Sequence, residues 1–196
     1  IIMSSTTTIN GVVYTIITGA GSFAVQQWWG AGSPPNFMIS GFSSVVNNAF
    51  QSNANITNVH IGNTVTSIGQ YAFYGTSNLN SITFGENSQL ASIGSYAFRF
   101  ATALTSIAIP DLVTSIGEGV FDYATGLTSI TFGVNSQLTS IGDYAFREAS
   151  ALTSIAIPDL VTTISDWAFY GTTSLTSITI PDTVTSIGSN AFLSTG

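Results

Sequence analysis

The chain has 196 residues, of which 44% are hydrophobic and only 6% charged, and its formal net charge at pH 7 is −7. Two basic residues cannot form the basic patch that binding to nucleic acid or to an anionic membrane requires. The absence of cysteine excludes disulfides, thiolate metal sites and cysteine nucleophiles. No apolar run approaches the ~20 residues of a membrane helix. The composition therefore predicts a folded, acidic chain whose surface is polar mainly through Ser, Thr, Asn and Gly.

Residues 1–35 differ from the rest of the chain and predict an N-terminal β-hairpin cap. Residues 12–17 and 23–28 are runs of β-forming residues separated by the loop sequence Thr-Gly-Ala-Gly-Ser, so we expect these two runs to pair. Trp28 and Trp29 could form a binding patch, but we favour the interpretation that one or both are buried against the first repeat.

From residue 56 onward the sequence is a tandem repeat. The six repeats span residues 56–78, 79–103, 104–126, 127–151, 152–174 and 175–196. Their starts alternate between steps of 23 and 25 residues, a period typical of a solenoid. Residues 36–55 are interpreted as a degenerate capping repeat, because Phe50 stands 23 residues before Phe73 and terminal units of solenoids are commonly atypical.

Each repeat contains two short β-forming runs and one compact turn. In the first run, positions 1, 4 and 6, such as Leu104, Ile107 and Ile109, are predicted to point inward. The connection to the second run is either a short Pro-Asp-Leu or a long Gly-x-Asn-Ser-Gln, which accounts for the two repeat lengths. The second run is followed by G-x-x-A-F, predicted to form a short 3-10 or helical turn. The predicted core column comprises Phe50, Phe73, Phe98, Phe121, Phe146, Phe169 and Phe192.

The combined pattern L-T-S-I-x-I-P-D-x-V-T-S-I-G-x-x-A-F over residues 56–196 resembles the BspA-like subclass of leucine-rich repeats. The resemblance implies a repeat solenoid, mainly β with short helical or 3-10 turns, whose first runs form a parallel sheet along one face. It also implies a secreted or surface-displayed protein that adheres to host or extracellular-matrix proteins. We expect neither enzymatic activity nor a cofactor.

Residues with catalytic or metal-binding chemistry are few. His60, the only histidine, is predicted to be exposed on the outward side of its first run without a neighbouring acid, which argues against a triad or a metal site. Glu118, Asp143 and Asp166 occupy one position of three successive repeats, roughly 5 Å apart, and are a weak candidate for Ca²⁺. We prefer to interpret these carboxylates as a solvated acidic stripe, because no Asp-Gly calcium loop is present.

Both arginines stand in the position after the core Phe. Arg99, Asp122 and Arg147 are predicted to form an exposed charge ladder across three repeats, in which each pair contributes only ~0.2–1 kcal/mol. Asn55 begins an Asn-Ile-Thr sequon, which has meaning only in a eukaryotic secretory pathway.

The outward positions of the first runs form files of small, uncharged side chains at the strand spacing of about 4.8 Å. We call this surface the Ser/Thr face. Its candidate binding residues are Ser81, Thr83, Thr105, Ser106, Thr128, Ser129, Thr131, Thr153, Ser154, Thr176, Ser177 and Thr179. Ser and Thr also suit exposed β positions without any binding role, so the pattern alone leaves both interpretations open.

The sequence predicts a non-enzymatic, secreted or surface-exposed recognition or adhesion module that binds an extracellular protein or glycan through the Ser/Thr face. The alternative is a structural subunit that self-assembles into filaments or an extracellular layer, favoured by the low charge and by a complete final repeat that is ready to accept another. An ice-binding protein is a less favoured third hypothesis, because the files alternate between Thr and Ala. We expect no nucleic-acid partner and no membrane insertion.

Overall fold

The computed structural model describes residues 2–19, 21–23 and 35–196, which wind into a β-solenoid of about seven turns. We call each turn a rung. The strands are β1 (Ile2–Ile9), β2 (Val12–Thr18), β3 (Ser22–Phe23), β4 (Asn36–Ser40), β5 (Ser44–Val45), β6 (Asn58–Ile61), β7 (Ser67–Ile68), β8 (Ser81–Phe84), β9 (Ser92–Ile93), β10 (Ser106–Ile109), β11 (Ser115–Ile116), β12 (Ser129–Phe132), β13 (Ser140–Ile141), β14 (Ser154–Ala156), β15 (Thr163–Ile164), β16 (Ser177–Thr179) and β17 (Ser186–Ile187).

Two sheets run along the solenoid, and each repeat contributes one strand to each of them. One sheet has the order β1-β2-β4-β6-β8-β10-β12-β14-β16, and the other the order β3-β5-β7-β9-β11-β13-β15-β17. Only β1 and β2 pair in antiparallel fashion; the other described pairs are parallel. Ile107 lies opposite Ile130 and Ile116 opposite Ile141, so repeats of both lengths keep one register. The two extra residues are confined to the connection between the sheets.

The core lies between the sheets and the turn side of the solenoid. Leu104, Ile107 and Ile109 point inward and are at most 3% exposed, as the spacing of the first run predicts. The seven predicted Phe rings form one continuous stack, with successive ring centroids 4.9–5.5 Å apart and ring planes within 11° of parallel. From Phe50 to Phe169 these rings are fully buried. Burial of each ring contributes about 1.5–3 kcal/mol.

The third side of the solenoid consists of turns, and the described residues contain no helix. The predicted short helical turn is replaced by backbone in which two residues of each rung adopt positive φ. The first of these columns, with φ of 55–59°, is Asn48, Tyr71, Tyr96, Gly119, Tyr144, Trp167 and Asn190. The second column, with φ of 55–71°, is Ser52, Gly75, Phe100, Tyr123, Glu148, Gly171 and Ser194.

Hydrogen bonds between rungs compensate for this unusual backbone. Left-handed conformation costs a residue other than glycine roughly 1–2 kcal/mol. The N–H groups of Tyr96, Phe98 and Phe100 donate to carbonyl oxygens of the next rung at 2.8–3.0 Å, and the same three bonds recur along the solenoid. A regular helix would direct these N–H groups to its own carbonyls and leave neighbouring rungs unconnected on this side.

The N-terminal hairpin forms from different strands than the sequence predicts. β1 pairs with β2 through a two-residue loop of Asn10 and Gly11, which have φ of 48° and 81°. Positive φ at both loop residues is the geometry that Asn-Gly favours, and its twist matches that of the flanking strands. On its other side β2 pairs with β4, so the predicted pairing of residues 12–17 with residues 23–28 is wrong for β2, and residues 24–28 lie outside the described residues. β3 pairs with β5 instead, while Trp28 and Trp29 lie outside the described residues.

Candidate functional site

The Ser/Thr face is the outward side of the parallel part of the first sheet. Strand pairing aligns one file of hydroxyls, formed by Ser81, Ser106, Ser129, Ser154 and Ser177. A second file, two residues further along each strand, contains Thr83, Ala108, Thr131, Ala156 and Thr179. Every member of both files is at least partly exposed. The face is therefore flat, uncharged and polar over five successive strands.

The hydroxyls of this face fall into two classes. Thr128 donates its hydroxyl to the carbonyl oxygen of Thr105 at 2.9 Å, and Thr153 and Thr176 make the same contact with the preceding rung at 3.3 and 3.4 Å, which is long for such a bond. These Thr side chains connect rungs. The file from Ser106 onward differs, because its hydroxyls make no hydrogen bond within the described part of the chain. The Ser file is thus free to bind water or a partner.

Two open grooves border the face at the carboxyl ends of the strands. A groove of about 710 Å³ lies between the long turn containing Asn87 and the short turn containing Asp111. A second, of about 540 Å³, lies between the long turn of residues 133–137 and the short turn at Pro158. Each groove lies between a long turn and a short one. The alternation of the two turn lengths in the sequence is therefore the pattern from which the grooves could have been predicted. Val134 and Leu160 border the second groove, with 101% and 48% of their surface exposed.

The N-terminal hairpin covers the first part of the face. Tyr14 of β2 is only 2% exposed, and its ring meets that of His60 edge-on with centroids 6.2 Å apart. Asn10, at the hairpin tip, lines the first groove together with Thr83 and Ala108. The hairpin therefore covers the outward side of the first repeat, and its tip reaches the groove beside the second and third.

His60 is buried, which corrects the prediction that it is exposed. Only 8% of its surface is accessible, because the hairpin folds over its outward-facing position. Its Nδ1 lies 2.9 Å from Oγ1 of Thr83, and burial lowers the pKa of the imidazole. The ring therefore packs beneath the hairpin rather than facing a partner.

The three carboxylates considered for Ca²⁺ are occupied by contacts between rungs. Asp143 accepts the backbone N–H of Asp166 at 3.1 Å, and Asp166 accepts that of Ser189 at 2.7 Å. Glu118 accepts the hydroxyl of Tyr96; burial, together with this bond, raises the pKa of Tyr96 to about 12. The described residues contain no group of three or more acidic or histidine side chains close enough to hold a metal ion. In the described structure these carboxylates thus connect neighbouring rungs rather than converging on one point.

Arg99, Asp122 and Arg147 form an ion group in which the carboxylate is buried and the two arginines are partly exposed. Arg147 binds both carboxylate oxygens of Asp122 at 2.8 Å, and Nε of Arg99 lies 3.0 Å from one of them. Asp122 is fully buried, because the two guanidinium groups cover it and pack over the rings of Phe100 and Tyr144 at 4.7 and 4.6 Å. The bond to Asp122 raises the pKa of Arg147. The predicted exposed ladder is therefore wrong, and this carboxylate holds three rungs together.

Comparison with known proteins bears out the resemblance. The family model of the BspA type leucine rich repeat region matches residues 43–150 and 127–196, with six copies. A comparison with curated protein sequences gives no significant match. Proteins of this fold and family generally have no catalytic activity, and they are typically surface proteins that mediate protein interactions. In the part of the chain that the structure describes, no helix has the length and apolar character to cross a membrane.

Three solved structures share the fold. A leucine rich cell surface protein of Faecalibacterium prausnitzii is 32% identical with a TM-score of 0.72, over 97% of this chain and 52% of its own. The leucine rich repeat protein of T. pallidum is 26% identical with a TM-score of 0.75, over 83% of this chain and 77% of its own. A leucine-rich repeat protein of Bacteroides ovatus, 21% identical with a TM-score of 0.63, matches all of this chain and 57% of its own, and shares the fold alone.

The chain spans about half the length of the F. prausnitzii protein. The repeat pattern, the two parallel sheets and the family match over residues 43–196 agree with one another. The chain belongs to the BspA type leucine-rich repeat family.

Proposed function

We propose that the chain is a non-enzymatic recognition or adhesion module that binds an extracellular protein or glycan through the Ser/Thr face. The observation that carries the proposal is the file of free Ser hydroxyls on successive strands. A hydroxyl both donates and accepts, so a regular file of them offers hydrogen bonds to a partner without the desolvation cost of a charged group.

The borders of the face add exposed apolar surface to its polar hydroxyls. Leu160 and Val134 expose apolar surface beside a groove, and burial of such surface is the main favourable term in protein association. A partner that covers several rungs would combine these apolar contacts with many weak polar ones. Affinity would then arise from the extent of contact as well as from a few anchors.

The location we propose is extracellular or on the cell surface, in keeping with the similarity to the leucine rich cell surface protein of F. prausnitzii. A net charge of −7 keeps such a module from binding anionic membranes nonspecifically. An extracellular partner is the one that a protein at this location would meet.

The test measures binding of the chain to a panel of purified extracellular-matrix proteins by surface plasmon resonance. The variant Ser106→Lys/Ser154→Lys places two bulky charges in the file and should weaken binding at least about tenfold. The matched control is Ser92→Lys, an equally exposed serine in the other sheet, which should bind as the unmodified chain does.

Equal affinity of both variants for every bound protein would contradict the proposal. Light scattering on the same samples tests the alternative of self-assembly: a mass that grows with concentration, and that the double variant reduces, would assign the Ser/Thr face to contacts between copies of the chain. Thermal hysteresis of freezing tests ice binding in the same way.

A further inference from the structure

A separate groove lies on the turn side of the first rungs, away from the Ser/Thr face. We propose that this groove is a binding site for a neutral saccharide. Its volume is about 420 Å³, within the ~300–1,000 Å³ of small-ligand sites. We call it the amide groove; it is lined by Asn47, Asn48, Gln51, Gln70, Tyr71, Tyr74 and Arg99.

Four carboxamides converge on the groove, and their hydrogen-bonding capacity is largely unused. One contact is made, in which Oδ1 of Asn47 accepts the backbone N–H of Gln70 at 2.8 Å. The amide group of Asn47, and the side chains of Asn48, Gln51 and Gln70, make no other hydrogen bond within the described part of the chain. A carboxamide presents two donors and an acceptor side by side, which matches the paired donor and acceptor hydroxyls of a sugar.

An aromatic ring face opens on the same groove. The ring of Tyr71 stacks on that of Tyr96 in the next rung, with centroids 5.3 Å apart and planes 7° from parallel. On the opposite side, the equivalent position of the preceding rung is Asn48, so among the described residues the column of stacked rings ends at Tyr71. The ring of Tyr74 meets that of Tyr71 at a steep angle, with centroids 5.6 Å apart and planes 77° apart. The negative face of an aromatic ring attracts the C–H groups on one side of a pyranose. The groove thus combines a stacking platform with amides.

Most of the groove is uncharged. Arg99 is the one charged residue among the described residues that line it; its Nε lies 3.0 Å from the carboxylate of Asp122, which Arg147 also binds, so the three side chains together carry one positive charge. The other lining residues are neutral amides and phenols, which suit a neutral ligand. In later rungs the position of Gln70 carries an acid at Glu118, Asp143 and Asp166, so the amide chemistry is specific to the first rungs. A peptide backbone could also bind amides, but the groove has no apolar pocket for a peptide side chain, and an open ring face suits a sugar better.

The test titrates the full chain with neutral hexasaccharides of glucose, mannose and N-acetylglucosamine, and follows backbone amide signals by NMR. We expect at least one of them to shift the signals of Gln51, Gln70 and Tyr71. Tyr71→Asn should weaken that binding at least about tenfold. This variant is expected to fold, because Asn48 and Asn190 occupy the same column with φ of 58° and 56°.

Tyr144→Asn is the matched control, since it removes a ring from the same column outside the groove and should change affinity by less than about twofold. Gln70→Glu gives a second variant that copies the acid of a later rung and should also weaken binding. Absence of binding by all three sugars, or equal binding by Tyr71→Asn and Tyr144→Asn, would overturn the proposal. So would tighter binding of a heparin hexasaccharide or of a neutral Gly-Ser-Asn peptide at these residues.

The proposal is independent of the function of the Ser/Thr face. The Ser106→Lys/Ser154→Lys variant should bind the saccharide normally, while Tyr71→Asn should bind a protein partner of the Ser/Thr face normally. Failure of one proposal therefore leaves the other intact.

Discussion

Phe121 and Asp122 are adjacent in the chain, yet they belong to columns of opposite kinds. The column of Phe121 has the same residue in every rung, and its rings touch one another inside the core. The next column varies from rung to rung, with Gln51, Tyr74, Arg99, Asp122, Arg147, Tyr170 and Leu193. In a stack of identical buried rings, a side chain of another shape would leave a cavity or a clash. A column open to solvent on one side tolerates different residue types. Local chemistry, such as the ion group around Asp122, therefore develops in the second column.

The largest effect is expected in the uniform column. Phe121→Ala removes one ring from the middle of the stack and leaves a cavity between the rings of Phe98 and Phe146, so we expect the free energy of unfolding to fall by about 3–5 kcal/mol. Chemical denaturation measures the change. Phe121→Leu, which fills more of the space, should cost less; equal stability of the Ala variant and the unmodified chain would exclude the stack as a main source of stability.

In the varied column, substitution of its one buried residue, Asp122, should lower the free energy of unfolding almost as much. Asp122→Asn keeps the shape of the side chain but removes the charge that two arginines share, and we expect a loss of roughly 2–4 kcal/mol. The loss stays at or below that of a fully buried pair, because the Arg99 and Arg147 side chains are 27% and 26% exposed and retain some hydration.

The control for this change is Glu86→Gln, which removes an exposed carboxylate of the same formal charge. It should alter stability by less than about 0.5 kcal/mol. If both variants lost the same amount in denaturation, net charge rather than the buried ion group would be responsible.

The stability of the rungs that the hairpin covers should depend on pH more strongly than that of the open rungs. Burial lowers the pKa of His60 from its ordinary value of 6.5, so its imidazole takes up a proton more readily when this region is unfolded than when the hairpin covers it. The stability of this region is therefore full above pH 6.5 and falls as pH drops toward the lowered pKa. The described side chains that contact the ring, Tyr14 and Thr83, carry a phenol and an alcohol rather than a carboxylate or a basic group.

Amide hydrogen exchange, converted to opening free energies at about pH 7.5 and about pH 5.5, measures this difference. The amides of β2 and β6 should lose protection at the lower pH, and those of β12 and β14 should not. In His60→Gln, which keeps a hydrogen-bonding side chain next to Thr83, the selective loss should disappear. A uniform loss along the solenoid in the unmodified chain would exclude His60 as its cause.

The smallest effect is expected on the Ser/Thr face. Thr128→Val keeps a β-branched side chain and removes only the hydroxyl that bonds the carbonyl of Thr105, so we expect a loss of no more than about 1 kcal/mol. Ser129→Ala, whose hydroxyl has no partner in the described structure, should leave the denaturation midpoint unchanged. A larger loss for Ser129→Ala than for Thr128→Val would contradict the division of this face into connecting and free hydroxyls.

The local repeat pattern was sufficient to predict the inward residues, the Phe column and the two β runs of each rung. Leu104, Ile107 and Ile109 are placed by spacing within six residues, and neighbouring rungs reproduce that spacing in register. Asn10 and Gly11 carried a hairpin signal that the more conspicuous β run after Gly21 obscured. The burial of His60 was not predictable from its repeat, because a strand more than 40 residues earlier covers it.

The Ser/Thr face was predictable only as a surface pattern. Strand alternation places Ser106 and Ala108 outward, but it does not tell whether a hydroxyl bonds to a neighbouring rung. The hydroxyl of Thr128 bonds to the neighbouring rung and that of Ser129 does not. Thr128 stands just before β12, whereas Ser129 is its first residue. The amide groove was missed because its residues come from three rungs and only the stacking of turns brings Gln51, Gln70 and Arg99 together.

The two columns of left-handed backbone limit which sequences this solenoid can explore. None of their fourteen residues is Val, Ile or Thr, although these residue types are used freely elsewhere in every repeat. Branching at Cβ conflicts with positive φ, so a change such as Tyr144→Val should be harmful at a partly exposed position where burial alone would predict tolerance. When a rung is duplicated, the requirement for positive φ at these two positions is therefore copied together with the core residues. Substitution in repeats that arise in this way is restricted at two fixed positions per turn, even where the side chain is partly exposed.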